Sequence, residues 1–256
     1  MLAFRTFWAM LAFRTFWAGC KDYFEELFLN VFMNVLWCLI ALPLPILLYG
    51  NFTAKYYVGA FILAVLTPLP LAIANGGLAH LARRIADGRA VSMRNVWDSL
   101  WVNLRKRIVL HYVWAGVFYT CLFNMWFYSN TATMPIAFTI LFFDLSILWL
   151  GYLAYLLPLS ELQPDASLSV TMRNAAGLMF TIAGSSLIMI VIASLLFVAS
   201  SLVIILHLLL FATLMTFWGT RLTDAAIAVV KERQEQTTPT TENNDNRAPS
   251  GQIRPK

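Results

Sequence analysis

Three polar residues set within apolar sequence are candidates for chemistry. Asp144, in Leu141-Phe142-Phe143-Asp144-Leu145, is the one acid or base well inside an apolar run. A carboxylate at the bilayer midplane costs about 2.5–3.5 kcal/mol on insertion scales, so it needs the bundle interior and a polar partner or a proton. Counted from the outer ends of their runs, Asp144 lies about ten residues deep, His207 about six and Asn124 about four. An Asp144–His207 contact with Asn124 or Asn75 nearby would make a proton-linked or solute-binding site. A hydrogen-bonded packing contact is the plainer account, because one acid without a second acid or a buried cation makes a poor relay. His80 and His111 border the opposite face, where histidines are ordinary. No HExxH, GxSxG, P-loop or clustered His/Asp pattern occurs, so no catalytic, cofactor-binding or metal-binding residue is expected and the chain reads as non-enzymatic.

Other motifs have plain explanations. Cys20, Cys38 and Cys121 are far apart and odd in number, which gives neither a disulfide framework nor a thiolate metal site. Trp17-Ala18-Gly19-Cys20 has the form of a lipoprotein cleavage box, but Arg14 interrupts the apolar stretch that a removable signal requires. Asn51-Phe52-Thr53 matches a glycosylation acceptor in a link too short to reach away from a bilayer. The pairs Pro43-Leu44-Pro45 and Pro68-Leu69-Pro70 remove backbone donors and are expected to kink neighbouring spans.

The elements that must position these residues follow from composition. Of 256 residues, 60% are apolar and 12% charged, and the mean hydropathy is +0.70, which excludes a soluble globular enzyme. At about 20 residues per crossing, the apolar runs give an all-α polytopic membrane protein of six transmembrane helices, at about 27–50, 57–80, 108–128, 134–157, 175–198 and 202–220. Pro158 favours a stop to the fourth. The uncharged run Ala175–Trp218 would be about 66 Å long as one helix, so it is read as two spans turning near Ala199-Ser200-Ser201. Residues 1–26 form an N-terminal segment, 27–230 the membrane domain and 231–256 a Thr/Asn/Gln/Pro-rich tail expected to be disordered. Arg and Lys gather in the stretch Ala82–Arg107, at Arg173 and near both termini, while the opposite loops hold only Lys55. That asymmetry places both termini in the cytoplasm. The basic residues therefore serve topology, and nucleic-acid binding has no support.

Two repeats are present. MLAFRTFWA at 1–9 recurs at 10–18; nine residues rotate an α-helix by about 900°, half a turn net, so the copies present opposite faces and build no single stripe. A tandem duplication, or a choice of start between Met1 and Met10, accounts for it; an interfacial aromatic and arginine anchor is the alternative. Val91-Ser92-Met93-Arg94-Asn95 recurs as Val170-Thr171-Met172-Arg173-Asn174, two spans on, as parallel repeats would place it.

Between spans two and three, Met93, Val96, Trp97, Leu100, Trp101 and Leu104 recur at helical spacings behind Ser92 as N-cap. They predict a cytoplasmic amphipathic helix lying in the interface, an elbow for the third span or a docking surface. Here the chain resembles the YesL-like family of bacterial membrane proteins, a domain of unknown function. The matching elements are Asn34-Val35-Leu36-Trp37 with Pro43, Thr67-x-x-Pro70-x-x-x-Ala74, and Trp97-x-Ser99-Leu100-x-x-Asn103-x-Arg105, with Arg173-Asn174-Ala175 consistent. Asn75-Gly76-Gly77 departs from the small and apolar residues usual there. The resemblance implies a helical inner-membrane protein associated with carbohydrate uptake and its regulation, and assigns no catalytic residue. The expectation is an accessory or regulatory partner of a transport system that contacts a transporter subunit or other membrane protein through Trp97, Leu100, Trp101, Asn103 and Arg105. The alternative is a small-solute transporter built around Asp144. Small residues at Gly184–Ser186 and Ala193-Ser194 would permit a homo-oligomer.

Overall fold

The computed structural model describes residues 2–131, 135–203 and 207–237, and every regular element among them is helical. In chain order these are α1 (Leu2–Glu25), α2 (Leu27–Ala41), α3 (Pro43–Thr53), α4 (Tyr57–Leu66), α5 (Pro68–Ala86), α6 (Met93–Trp101), α7 (Leu104–Ser129), α8 (Ile136–Leu162), α9 (Leu168–Thr181), α10 (Ala183–Leu202), a π-helical segment (His207–Phe211) and α11 (Ala212–Thr237). The fold is thus that of an all-α polytopic membrane protein. Among the described residues, five stretches are long and apolar enough to cross a bilayer: Leu27–Thr53, Tyr57–Ala86, Leu104–Ser129, Ile136–Leu162 and Ala183–Leu202.

Two of the five are helix pairs that divide at a proline. Pro43 and Pro68 each occupy the first turn of a new helix, where a missing N–H costs nothing. Leu42 and Thr67 before them keep right-handed helical torsions and still donate to the carbonyls of Cys38 and Leu63 at 3.2 and 2.9 Å. The prolines therefore divide each span into two helices while helical torsions run through the junction.

Pro158 does not stop α8, contrary to expectation. The carbonyl it leaves without an intrahelical donor, that of Ala154, faces Gly219 of α11 so closely that a Cβ there would stand 2.7 Å from the oxygen. The helix nonetheless continues to Leu162, with the Gly219 backbone packed against that carbonyl.

The last two expected spans also differ. The fifth begins at Ala183, since Ile182 leaves helical torsions and separates α9 from α10. The turn expected near Ala199-Ser200-Ser201 is still helix, with α10 running to Leu202. Of the expected sixth span, 202–220, the described residues from His207 on divide between the π-helical segment and the start of α11. α11 is instead the hub of the bundle. Trp218, Leu222 and Ala226 enter one core with Trp8, Trp114, Tyr155 and Ile182, while Phe217 enters a second with Tyr23, Met33, Leu78 and Leu81. A helix walled by protein need not present hydrocarbon to lipid, and α11 accordingly buries Thr213, Thr220 and Thr223. Its last residues, Lys231–Gln236, are exposed helix where a disordered tail was expected to start; the tail's 238–256 lie outside the described residues.

α1 belongs to this core rather than standing apart. In the first copy of the nonapeptide Trp8 is 7% exposed and Phe7 faces outward; in the second, Trp17 is 74% exposed and Phe16 packs edge-on against Trp218. The half-turn between copies thus shows directly in which aromatic is used. α7 and α8 form a hairpin fastened by two tryptophans, each indole donating to the other's backbone carbonyl: Trp114 to Trp149 O at 3.0 Å and Trp149 to Trp114 O at 2.9 Å.

Candidate functional site

The charged end of the bundle is built around Arg107, one turn into α7 and 1% exposed. An ion taken out of water requires a partner and hydrogen bonds to be tolerated. Its partner is Glu161, near the end of α8, whose side chain is 4% exposed. Arg107 Nε donates to Glu161 Oε1 at 2.9 Å, and Nη2 stands 2.8 Å from the same oxygen without an aligned hydrogen bond of its own. Nη1 donates to the carbonyl of Ser99 in the last turn of α6 at 2.7 Å. Oε2 of Glu161 lies 2.8 Å from Nδ1 of His80 on α5. One guanidinium and one carboxylate thereby tie together α5, α6, α7 and α8.

A second arm of the network runs inward. His111 Nδ1 is 2.8 Å from the Arg107 carbonyl, so it must be the donor, which leaves Nε2 to accept from Asn75 Nδ2 at 3.3 Å. Asn75 Oδ1 accepts from the Trp37 indole at 2.6 Å. The chain Trp37, Asn75, His111, Arg107, Glu161, His80 crosses the bundle with its donors and acceptors in register. The glycines after Asn75 make room for it. A Cβ at Gly76 would stand 2.3 Å from Arg107 Cδ, and one at Gly77 2.7 Å from Leu100 Cδ2. A guanidinium and α6 lie against these two positions and leave no room for a side chain.

A second ionic group closes the same end. Asp22 of α1 takes Arg221 of α11 at 2.5 and 2.7 Å. Arg83 of α5 pairs with Asp87 and, at 2.6 Å, with Asp224. The hydrogen bond from Arg83 holds the Asp87 carboxyl below its usual value, and the bond to Asp22 raises Arg221 above the usual guanidinium value against the cost of burial.

α6 is mounted on this platform as its pattern predicts, with Ser92 as N-cap donating from N–H and hydroxyl to Asn95 Oδ1 at 2.9 and 3.0 Å. Its apolar stripe divides in two. Val96, Ser99 and Leu100 are buried, whereas Met93, Trp97 and Trp101 face outward, both tryptophans 62% exposed. Leu100 is therefore a packing residue and not part of an exposed docking surface. Asn103 takes a left-handed conformation, φ 51°, turning the chain from α6 into α7. It and Arg105 line a groove of about 500 Å³ with Leu104, Lys106, Val109 and Leu168, apart from the tryptophans.

The polar cluster expected around Asp144 does not assemble. Asp144 is exposed between Phe143 and Leu145, and no described side chain makes a hydrogen bond or ion pair with it. It shares a helical face with Gly151 and Tyr155, two and three turns on. α10 covers that face at Gly151 through Ile190, but at the level of Asp144 it is open. Asn124 donates to the Thr120 carbonyl of its own helix at 2.7 Å. His207 is 3.1 Å from Ser200 Oγ and stacks on Phe211. It lies in the π-helical segment, whose loose backbone is satisfied by Asn34 and Tyr23. Asn34 donates to the His207 carbonyl at 2.8 Å and accepts from Thr213 N at 2.9 Å, and Tyr23 donates to the Leu209 carbonyl at 2.7 Å.

The Arg107–Glu161 pair was not legible in the sequence because Arg107 counted among the loop cations and the fourth span was ended before Glu161. The glycine pair beside a polar Asn75 inside a span was the one signal pointing to it. Among the described residues no three His, Cys, Asp or Glu side chains come together as a metal site. No protein-family model matches the chain, and neither a curated protein nor a solved structure does.

Proposed function

We propose that this protein is a non-enzymatic accessory or regulatory subunit of a membrane transport system and docks onto its partner through the Met93, Trp97 and Trp101 face of α6. The observation that carries the reading is the division of α6 into two apolar faces. One is fixed to the bundle by Val96, Leu100 and the Arg107 bond to Ser99, so the other presents two tryptophans on a rigid mount. Tryptophan is enriched among the residues that dominate binding energy, and a pre-ordered helix loses little entropy on docking. The outward Asp144 fits the same reading, since a carboxylate on a span with no partner among the described residues favours a partner within the membrane. By the positive-inside rule the α6 side is cytoplasmic, with both termini there, in a bacterial inner membrane. The resemblance to YesL-like proteins makes carbohydrate uptake the transport class.

The test is photo-crosslinking from positions 97 and 101 in native membranes, followed by purification in mild detergent. A stoichiometric transporter subunit is expected, lost in Trp97→Ala/Trp101→Ala with thermal stability retained. Recovery of only a homo-oligomer, with uptake abolished by Asp144→Ala and not by the tryptophan changes, would replace this reading with that of a small-solute transporter.

A further inference from the structure

The groove between the α6–α7 turn and the start of α9 has a chemistry of its own. At about 500 Å³ it lies within the size range of small-molecule sites. Its rim is cationic. Arg105 is exposed, and no hydrogen bond or ion pair engages its guanidinium among the described residues. Lys106 donates to the carbonyls of Gln163 and Pro164 at 2.5 and 3.1 Å, which fixes the ammonium without neutralising it and leaves one donor free. The nearby acids are Asp165 and Glu161, and Glu161 is already committed to Arg107 and His80.

The walls are apolar, from Leu104, Val109 and Leu168. Below Val109 the outer face of α7 continues as an exposed stripe of Tyr112, Val113, Gly116 and Val117, with open space at Gly116. Two cations therefore sit at the head of an exposed apolar stripe that follows a membrane-spanning helix. A soluble anion would use the cations and leave the stripe idle. A lipid uses both.

We propose that this groove binds an anionic phospholipid, its phosphate held by Arg105 and Lys106 with Asn103 at the rim, and an acyl chain laid along Val109, Val113 and Val117. The site is independent of the tryptophan face, so its failure leaves the docking reading standing, and the reverse also holds.

The experiment uses the full chain in nanodiscs of equal phosphatidylcholine and phosphatidylglycerol, transferred to mild detergent, with retained lipid counted by native mass spectrometry. Enrichment of phosphatidylglycerol is expected in the wild type, falling about fivefold for each cation removed in Arg105→Gln and Arg105→Gln/Lys106→Gln. Arg94→Gln, a cation on α6 near Asp98 and outside the groove, should keep the enrichment. Arg105→Gln alone decides the matter if Lys106→Gln disturbs the fold, because its guanidinium holds no other element in place. Equal retention of the two lipids, an equal loss in Arg94→Gln, or displacement of the lipid by inorganic phosphate would overturn the proposal.

Discussion

Replacing Gly76 by alanine tests the packing of Arg107 directly. The added Cβ would stand 2.3 Å from Arg107 Cδ and 2.7 Å from Nε, where ordinary contact begins at 3.4 Å. The side chain must retreat by about an ångström. The 2.7 Å bond to Ser99 O and the 2.9 Å bond to Glu161 then stretch beyond useful length. Hydrogen bonds to charged groups contribute about 1.5–3 kcal/mol each, so the gross loss is about 3–6 kcal/mol. Alanine regains about 1 kcal/mol of helix propensity, which leaves a net destabilisation of about 2–5 kcal/mol. Gly116 on α7 is the control: nothing stands within 4 Å of its Cβ position, so Gly116→Ala keeps only the propensity gain. Thermal unfolding of both variants in the same detergent should therefore shift in opposite directions. A matching shift of the two would refute the close packing of Arg107 on α5, and with it the argument for a glycine after Asn75.

Three further outcomes are expected. Trp8→Ala should cost about 3–5 kcal/mol and Trp17→Ala a small fraction of that, though the two stand in identical nonapeptides; equal losses in thermal unfolding would contradict the opposed faces of α1. Asn34→Leu strands the Thr213 amide and the His207 carbonyl, a loss of about 2–4 kcal/mol that should appear as faster hydrogen exchange across the π-helical segment. Asp87 has its pKa lowered by Arg83, so its stabilisation is present above the ordinary value near 4 and is lost as pH falls through the lower folded value; the stability gap between wild type and Asp87→Asn should be constant from about pH 7 to 5 and close below about pH 4.

What the sequence made legible were features set by local pattern. The helix boundaries at Pro43 and Pro68, the position of α6 and its Ser92 cap, and the opposite faces of the repeat all follow from residue type and helical rotation. What it hid depended on neighbours far along the chain. Arg107 counted with the loop cations, and Glu161, 54 residues on, fell outside the expected fourth span, until α7 and α8 were placed side by side. Asp144 carried the right cost argument and the wrong surroundings, because depth along a span says nothing about which neighbours reach that level. The enclosure of α11 by protein was equally hidden, since hydropathy registers apolar content and cannot register enclosure.

The meeting of Pro158 with Gly219 bears on how this chain can change over generations. Proline at 158 frees the Ala154 carbonyl, and glycine at 219 leaves room for it. If position 158 gains an N–H, the carbonyl can return to its own helix, which relieves the tightest contact at position 219 and leaves the 3.2 Å one with Ala154 Cβ. If 219 gains a methyl while 158 stays proline, the oxygen has nowhere to go. The order of mutation therefore matters: the path through a change at 158 is open, the path through 219 first is closed, and related chains should hold the pair together or lose proline before glycine.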